Sequence, residues 1–196
     1  RTWFLSLLVD DLISWNDWFL RHRTHQNLIT LGSYNLAREL NHGQGDEVNN
    51  MQGARYESGL DNSPMYDGEF FNNETHLMEM YDVGMSALVA NEAMVLSRLL
   101  TKLGRGDDAE RMRARAANLT EVIATQLWDE ERGVFADRHF NGSFDERVSP
   151  TSFYPMMIGA ASDAQVQSLL NHWLFNATRF CIARSGDYQG NTDTCY

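Results

Sequence analysis

Residues 74–104 read ETHLMEMYDVGMSALVANEAMVLSRLLTKLG, and the fold turns on that stretch. Leu77, Met80, Tyr81, Met85, Leu88, Val89, Met94, Val95, Leu99 and Leu103 recur at i, i+3 and i+4, the spacing that lines one face of an α-helix. The series predicts a long, mostly buried helix from Glu74 to about Leu103, ended by Gly104 in a left-handed C-terminal position. Downstream, residues 107–128 (DDAERMRARAANLTEVIATQLW) predict a second helix, with Asp107 and Glu110 spaced as a capping box. Its acids lead and its arginines follow, as the helix dipole prefers. Upstream, Trp3, Phe4, Leu7, Leu8, Leu12, Trp15, Phe19 and Leu20 predict a tryptophan-rich helix over residues 3–22.

Between these helices the period is lost. Residues 24–53, including NHGQGDEVNN at 41–50, carry turn chemistry and are expected to form a long functional loop. Residues 132–148 (RGVFADRHFNGSFDERV) place Val134, Phe135, Phe140 and Phe144 around an Asn-Gly turn, which predicts a small β-hairpin excursion. Helical patterns return over 150–175, with Pro155 near one first turn and a Ser162/Asp163 cap at another. About four to six helices in antiparallel pairs suit either a helical bundle or an α/α toroid, and periodicity does not choose between them.

The composition narrows the partners. A chain of 196 residues with 43% hydrophobic content can bury a substantial core. A formal charge of -11 opposes phosphate backbones and anionic surfaces, so nucleic acid is not an expected partner. No stretch approaches the roughly 20 consecutive apolar residues of a bilayer span, so membrane insertion is not expected either. His22, His25, His42, His76, His139 and His172 share no metal-ligand spacing, and neither a metal site nor a cofactor is implied. The cysteine count leaves a short-loop disulfide between Cys181 and Cys195 and two free thiols equally open. Four N-x-[ST] sequons, at Asn73, Asn118, Asn141 and Asn176, exceed the roughly two expected by chance. They lean toward a secretory-pathway or extracellular protein, and so toward the disulfide.

One short segment concentrates chemistry. In ESGLDNSPMYD, residues 57–67, Gly59 permits an unusual backbone angle, Pro64 stiffens the exit, and Asp61 lies between them. The plain reading is an Asx turn in which an Asp side chain bonds its own backbone. Against it, Glu57, Asp67, Tyr56 and Tyr66 crowd carboxylates and aromatic faces together, the two side-chain types that sugar sites combine.

ESGLDNSPMYD, followed in order by THLMEMYDVGMSALVANEAMVLSRLL, LWDEERGVFADR and SPTSFYPMM, resembles the catalytic (α/α)6-barrel domain of glycoside hydrolase family 63, the processing α-glucosidase and mannosylglycerate hydrolase group. The resemblance runs from about Trp15 to Tyr196. It implies an all-α fold, a six-hairpin toroid of which residues 1–196 form an incomplete portion of one catalytic domain. It also implies an inverting α-glycoside hydrolase acting on an oligosaccharide or glycoconjugate, with Asp61 as the general acid. Gly59 would lie against the sugar in the innermost subsite, with Glu57, Asn62 and Tyr66 around it and Arg23 and Tyr154 lining the cleft.

The general base implied by the resemblance is a late glutamate that no residue from Phe180 to Tyr196 matches, so the expected partner of this chain, besides carbohydrate, is the rest of its own barrel. An acid at Asp61 must hold its proton at working pH, and Glu57 or Asp67 is expected to help it do so. Asp82 also matches an aspartate the family keeps, although a carboxylate at a helix start explains it as well. Two alternatives stand beside this reading. One is a non-catalytic carbohydrate-binding or structural member of the fold. The other is a trehalase-like disaccharide hydrolase, disfavoured because trehalases follow the aspartate with an aromatic, two serines, Arg and Trp where this chain has Asn62, Ser63, Pro64, Met65 and Tyr66.

Overall fold

The structure, a computed structural model, describes residues 2–34, 50–176 and 179. Among the described residues it is mainly helical, with three long helices, α1 (Thr2–His22), α3 (Val83–Lys102) and α4 (Gly106–Gln126), and two short ones, α2 (Met51–Ser58) and α5 (Asp163–Ser168). His42, Cys181 and Cys195 lie outside the described residues.

The helices assemble as the apolar spacing dictates. α3 and α4 form a hairpin around Gly104, whose φ of 75° lets the chain reverse. Val9 and Ile13 of α1 close one core with Ala93, Leu96 and Leu100 of α3 and Ala109, Met112 and Ala116 of α4. The alanines matter because small side chains let the helix axes approach closely enough to exclude water. α1 is also held laterally by polar contacts. Asn16 is fully buried, donates to the Val89 carbonyl at 3.2 Å and to Glu92 at 2.8 Å, and accepts from Arg115 at 2.6 Å. Asp10 pairs with Arg105, and Asp17 with Arg111 and Arg115. α3 is long and apolar enough to cross a membrane by length and composition, but its buried residues serve these cores.

The structure departs from the sequence reading at five places. Residues 74–81 are not helix: Leu77–Tyr81 form strand β4, and Asp82 caps α3 by accepting from the Met85 N–H at 2.6 Å. Apolar residues at 77, 80 and 81 satisfy a helical period by coincidence, and a neighbouring strand decides the outcome. That strand is the second correction. Within the expected loop, Thr24–His25 (β1) and Leu28–Gly32 (β2) form a hairpin, and all five residues of β2 are buried. Its turn residues Gln26 and Asn27 both have positive φ, 45° and 66°, the geometry of a two-residue hairpin but without the glycine that signals it. Third, Met51–Ser58 is the helix α2, started by Asn50, whose side chain accepts from the Gln52 and Gly53 N–H groups. Fourth, α4 has no capping box. Its first acids, Asp107 and Asp108, lie inside the first turn, and Arg105 stands at the cap with no side-chain bond to the helix backbone. Fifth, Pro155 lies in the middle of a 3-10 segment, Pro150–Ile158, rather than near a helix start.

The β-excursion at 132–148 exists but is divided. Trp128–Asp129 (β5) pairs with Val134–Phe135 (β6), while Arg138–His139 (β7) joins β4. The Asn-Gly turn forms, with the His139 N–H donating to the Ser143 carbonyl, yet it closes only one bridge, Arg138 to Phe144. With Phe71–Asn72 (β3), the larger sheet runs β1-β2-β4-β3 with β7 on β4. The expected Ser162 cap of α5 forms, and the structure adds Gln165 to it as a full capping box. The chain then passes into a π-helical turn over Leu169–Leu174.

Candidate active site

The segment from Glu57 to Asp67 is built as a braced turn. α2 ends at Gly59, whose φ of 70° is left-handed, with its N–H donating to the Tyr56 carbonyl. A Cβ at Gly59 would meet nothing within 4 Å, so glycine is required there by backbone angle and not by crowding. The Ser63 N–H donates to the Leu60 carbonyl, and the Ser63 hydroxyl caps a short 3-10 turn, Pro64–Tyr66, by accepting from the Met65 N–H. Pro64 opens that turn, where its missing N–H costs nothing. Arg55 of α2 reaches across to the Tyr66 carbonyl and the Asp67 carboxylate, both at 2.9 Å, and so closes the loop on its own helix.

Asp61 lies at the middle of this turn, half-buried. Its carbonyl accepts from Gln52 at 3.3 Å, but among the described residues its carboxylate takes no hydrogen bond and pairs with no cation. The Asx-turn reading is therefore excluded for Asp61, since it is Ser63 that bonds the local backbone. The flanking acids are both engaged. Asp67 pairs with Arg55, and Glu57 pairs with Arg23, so neither is a free negative neighbour.

Glu57 and Arg23 form the tightest brace. Arg23 donates to Glu57 through Nε at 2.6 Å and Nη2 at 2.5 Å, and the Gly32 N–H donates to the same carboxylate at 2.9 Å. The guanidinium also donates to the His22 and Ser33 carbonyls and lies 4.6 Å from the Trp18 ring centre. This joins α2 to the end of α1 and to β2. Such forked recognition of a carboxylate suits arginine and not lysine. Read from the sequence as sugar-facing groups, Arg23 and Glu57 here have their polar atoms turned on each other.

Tyr66 anchors the other end. It is fully buried, and its hydroxyl donates to Asp82 Oδ2 at 2.9 Å. That places it under the turn as a support, with its ring out of contact with solvent. Asn62 is exposed on the turn. Tyr154 is half-buried in the 3-10 segment that begins against α3, where Thr151 touches Gly84, and no hydrogen bond joins Tyr154 to the Asp61 turn among the described residues. Asn73, Asn118 and Asn141 are exposed and Asn176 is half-buried.

The start of α3 carries two buried carboxylates that the sequence reading did not bring together. Asp82 accepts from Tyr66 and Met85, and Asp137, from the loop between β6 and β7, accepts from the Val83 N–H at 2.7 Å. Burial pushes both upward from the usual aspartate range, Asp137 the further because Asp82 is beside it. Burial also raises the Tyr66 hydroxyl, with Asp82 adding to the effect, so it stays a proton donor to that carboxylate. Asp82 was legible as a helix cap. Asp137 had no local signal, because its partner lies 54 residues away in sequence.

Residues 1–186 match the mannosylglycerate hydrolase MGH1-like glycoside hydrolase domain. The chain belongs to this family. The fold of this MGH1-like domain is similar to that of a family 63 mannosylglycerate hydrolase from Thermus thermophilus, solved in complex with glucose, at 17% identity and a TM-score of 0.62. That similarity covers 90% of this chain and 47% of the other. An uncharacterised conserved protein from the same organism is similar at 16% identity and a TM-score of 0.61, covering 90% and 48% respectively. The MGH1-like domain thus spans about half the length of these relatives, and its helices and small strands are an incomplete portion of such a barrel. No curated protein sequence matches the chain.

Proposed function

We propose that the protein is an inverting α-glycoside hydrolase of an oligosaccharide or glycoconjugate, with Asp61 as the general acid. The observation that carries this reading is the Asp61 carboxyl itself: held in a turn whose flanking carboxylates, Glu57 and Asp67, are both paired, it is left unpaired among the described residues. A carboxylic acid so mounted can give its proton to a glycosidic oxygen as the C–O bond breaks. Inversion requires a second carboxylate roughly 6.5–9.5 Å away to deprotonate the attacking water. That base is expected in the remainder of the barrel. Four large apolar side chains of α1, Trp3, Phe4, Leu7 and Trp15, are mostly exposed and offer a surface on which further barrel helices would pack.

The test uses the full-length protein on a panel of α-glucosides and α-mannosides, following the first-formed anomer by NMR. A β-anomer product from an α-glycoside, lost in Asp61→Asn, supports the proposal. An α-anomer product, or turnover unchanged by Asp61→Asn, sinks it. Secretory-pathway or extracellular placement is proposed on the sequons, and a mobility shift on enzymatic deglycosylation of the natural protein tests it.

A further inference from the structure

We infer that the Tyr66–Asp82 contact is the positioning device for the proton donor, tethering the Asp61 turn to the first turn of α3. This rests on the reading of Asp61 as general acid. Tyr66 follows Asp61 by five residues, and the bonds of the intervening turn brace the segment on either side of Asp61: Ser63 N–H to Leu60 carbonyl, Met65 N–H to Ser63 hydroxyl, Tyr66 N–H to Ser63 carbonyl. A displacement of Tyr66 is therefore carried through this braced turn to the backbone that holds Asp61. The ring is sequestered among Leu31, Ala54, Met65, Met78 and Met80, which fix its plane. The hydroxyl then fixes its depth, through Asp82, which accepts from the Met85 N–H and caps α3, a helix with ten buried residues. The Ser58 hydroxyl, at the end of α2, accepts from the Leu60 N–H at 2.9 Å and donates to the Arg55 carbonyl at 2.6 Å, bracing the entry to the turn. The exit of the Asp61 turn is thus tied to a buried point at the start of α3 while its entry is braced on the end of α2.

The chemical consequence is specific. A misplaced acid slows departure of groups that must be protonated, and spares those that leave without a proton. The experiment compares Tyr66→Phe with Asp61→Asn in the full-length protein. The substrates are the glycosyl fluoride and the methyl glycoside of whichever sugar, glucose or mannose, is turned over. Fluoride leaves with little need of acid, whereas methanol requires it.

Tyr66→Phe is expected to lower kcat on the methyl glycoside about ten- to a hundred-fold, the scale of an ångström-level misplacement, with KM little changed and the fluoride slowed less than about three-fold. Asp61→Asn should show the same selectivity with a larger loss, about 10²–10⁴-fold. Equal losses on both substrates in Tyr66→Phe would mark Tyr66 as merely structural and overturn the inference while leaving Asp61 as the acid. Selectivity absent in Asp61→Asn as well would overturn the assignment of the acid, and the tether with it. If Tyr66→Phe does not fold, Asp82→Asn is read on the same pair. It keeps an oxygen for the Met85 N–H, weakens the tether and removes a charge from beside Asp137, so a loss confined to the methyl glycoside supports the inference and an equal loss refutes it.

Discussion

Removing Arg23 is the most informative single perturbation of the site's frame. Its side chain is 7% exposed and that of Glu57 19%, so Arg23→Met leaves a largely buried carboxylate with, among the described residues, only the Gly32 N–H as a close donor. Breaking one partner of a buried pair costs about 3–5 kcal/mol, and the residual exposure of Glu57 reduces this to about 2–4 kcal/mol. Loss of the guanidinium over Trp18 adds roughly 0.5–1 kcal/mol. The expected total centres on about 3–4 kcal/mol, a fall in the folded-to-unfolded ratio of two to three orders of magnitude. Adding Glu57→Met should recover most of it, because an apolar pair of similar volume carries no unmet charge. Urea denaturation of the wild type, both single variants and the double variant supplies the cycle. If Arg23→Met costs under about 1 kcal/mol, or if the double variant is as unstable as the sum of the singles, the pair does not brace the site.

Three further outcomes follow from the same geometry. Gly32→Ala would place a Cβ 2.7 Å from the His76 carbonyl and 2.8 Å from Arg23 Nε, so it should destabilise by about 1–3 kcal/mol, read as a lowered Tm; an unchanged Tm would contradict the crowding. Asp137 holds its proton more tightly folded than unfolded, so its contribution to stability is fully present below about pH 4 and is lost as pH rises toward the raised folded value. Asp137→Asn, which keeps an oxygen for the Val83 N–H, should flatten that fall in urea midpoints measured from about pH 4 to 8, and parallel curves would refute it. Asn50→Ala removes the cap of α2 and should cost about 1 kcal/mol by the same denaturation measurement, whereas no change would show that packing alone starts the helix.

The long helices were readable because their information is local. Trp3 to Leu20, Val83 to Lys102 and Asp107 to Gln126 each repeat an apolar stripe over several turns, and tertiary contacts only choose which stripe meets which. Residues 24–32 and 77–81 were not readable in the same way. LITLG is too short and too uniformly buried to show a period, and LMEMY fits two periods, so each becomes a strand because the other lies beside it.

The site divides along the same line. Gly59, Pro64 and the rigid turn around Asp61 are consequences of residue chemistry within ESGLDNSPMYD, and they appear in the structure where the sequence put them. The family resemblance was legible too, since motifs in a fixed order need no coordinates. What the linear chain could not show is which acids are free. Glu57, Asp67 and Asp61 look alike in sequence, and they are told apart only when folding brings Arg23 to one, Arg55 to another, and leaves the third unpaired among the described residues. A carboxylate's charge and reach depend on what lies within a few ångströms, and those neighbours come from elements that sequence distance hides.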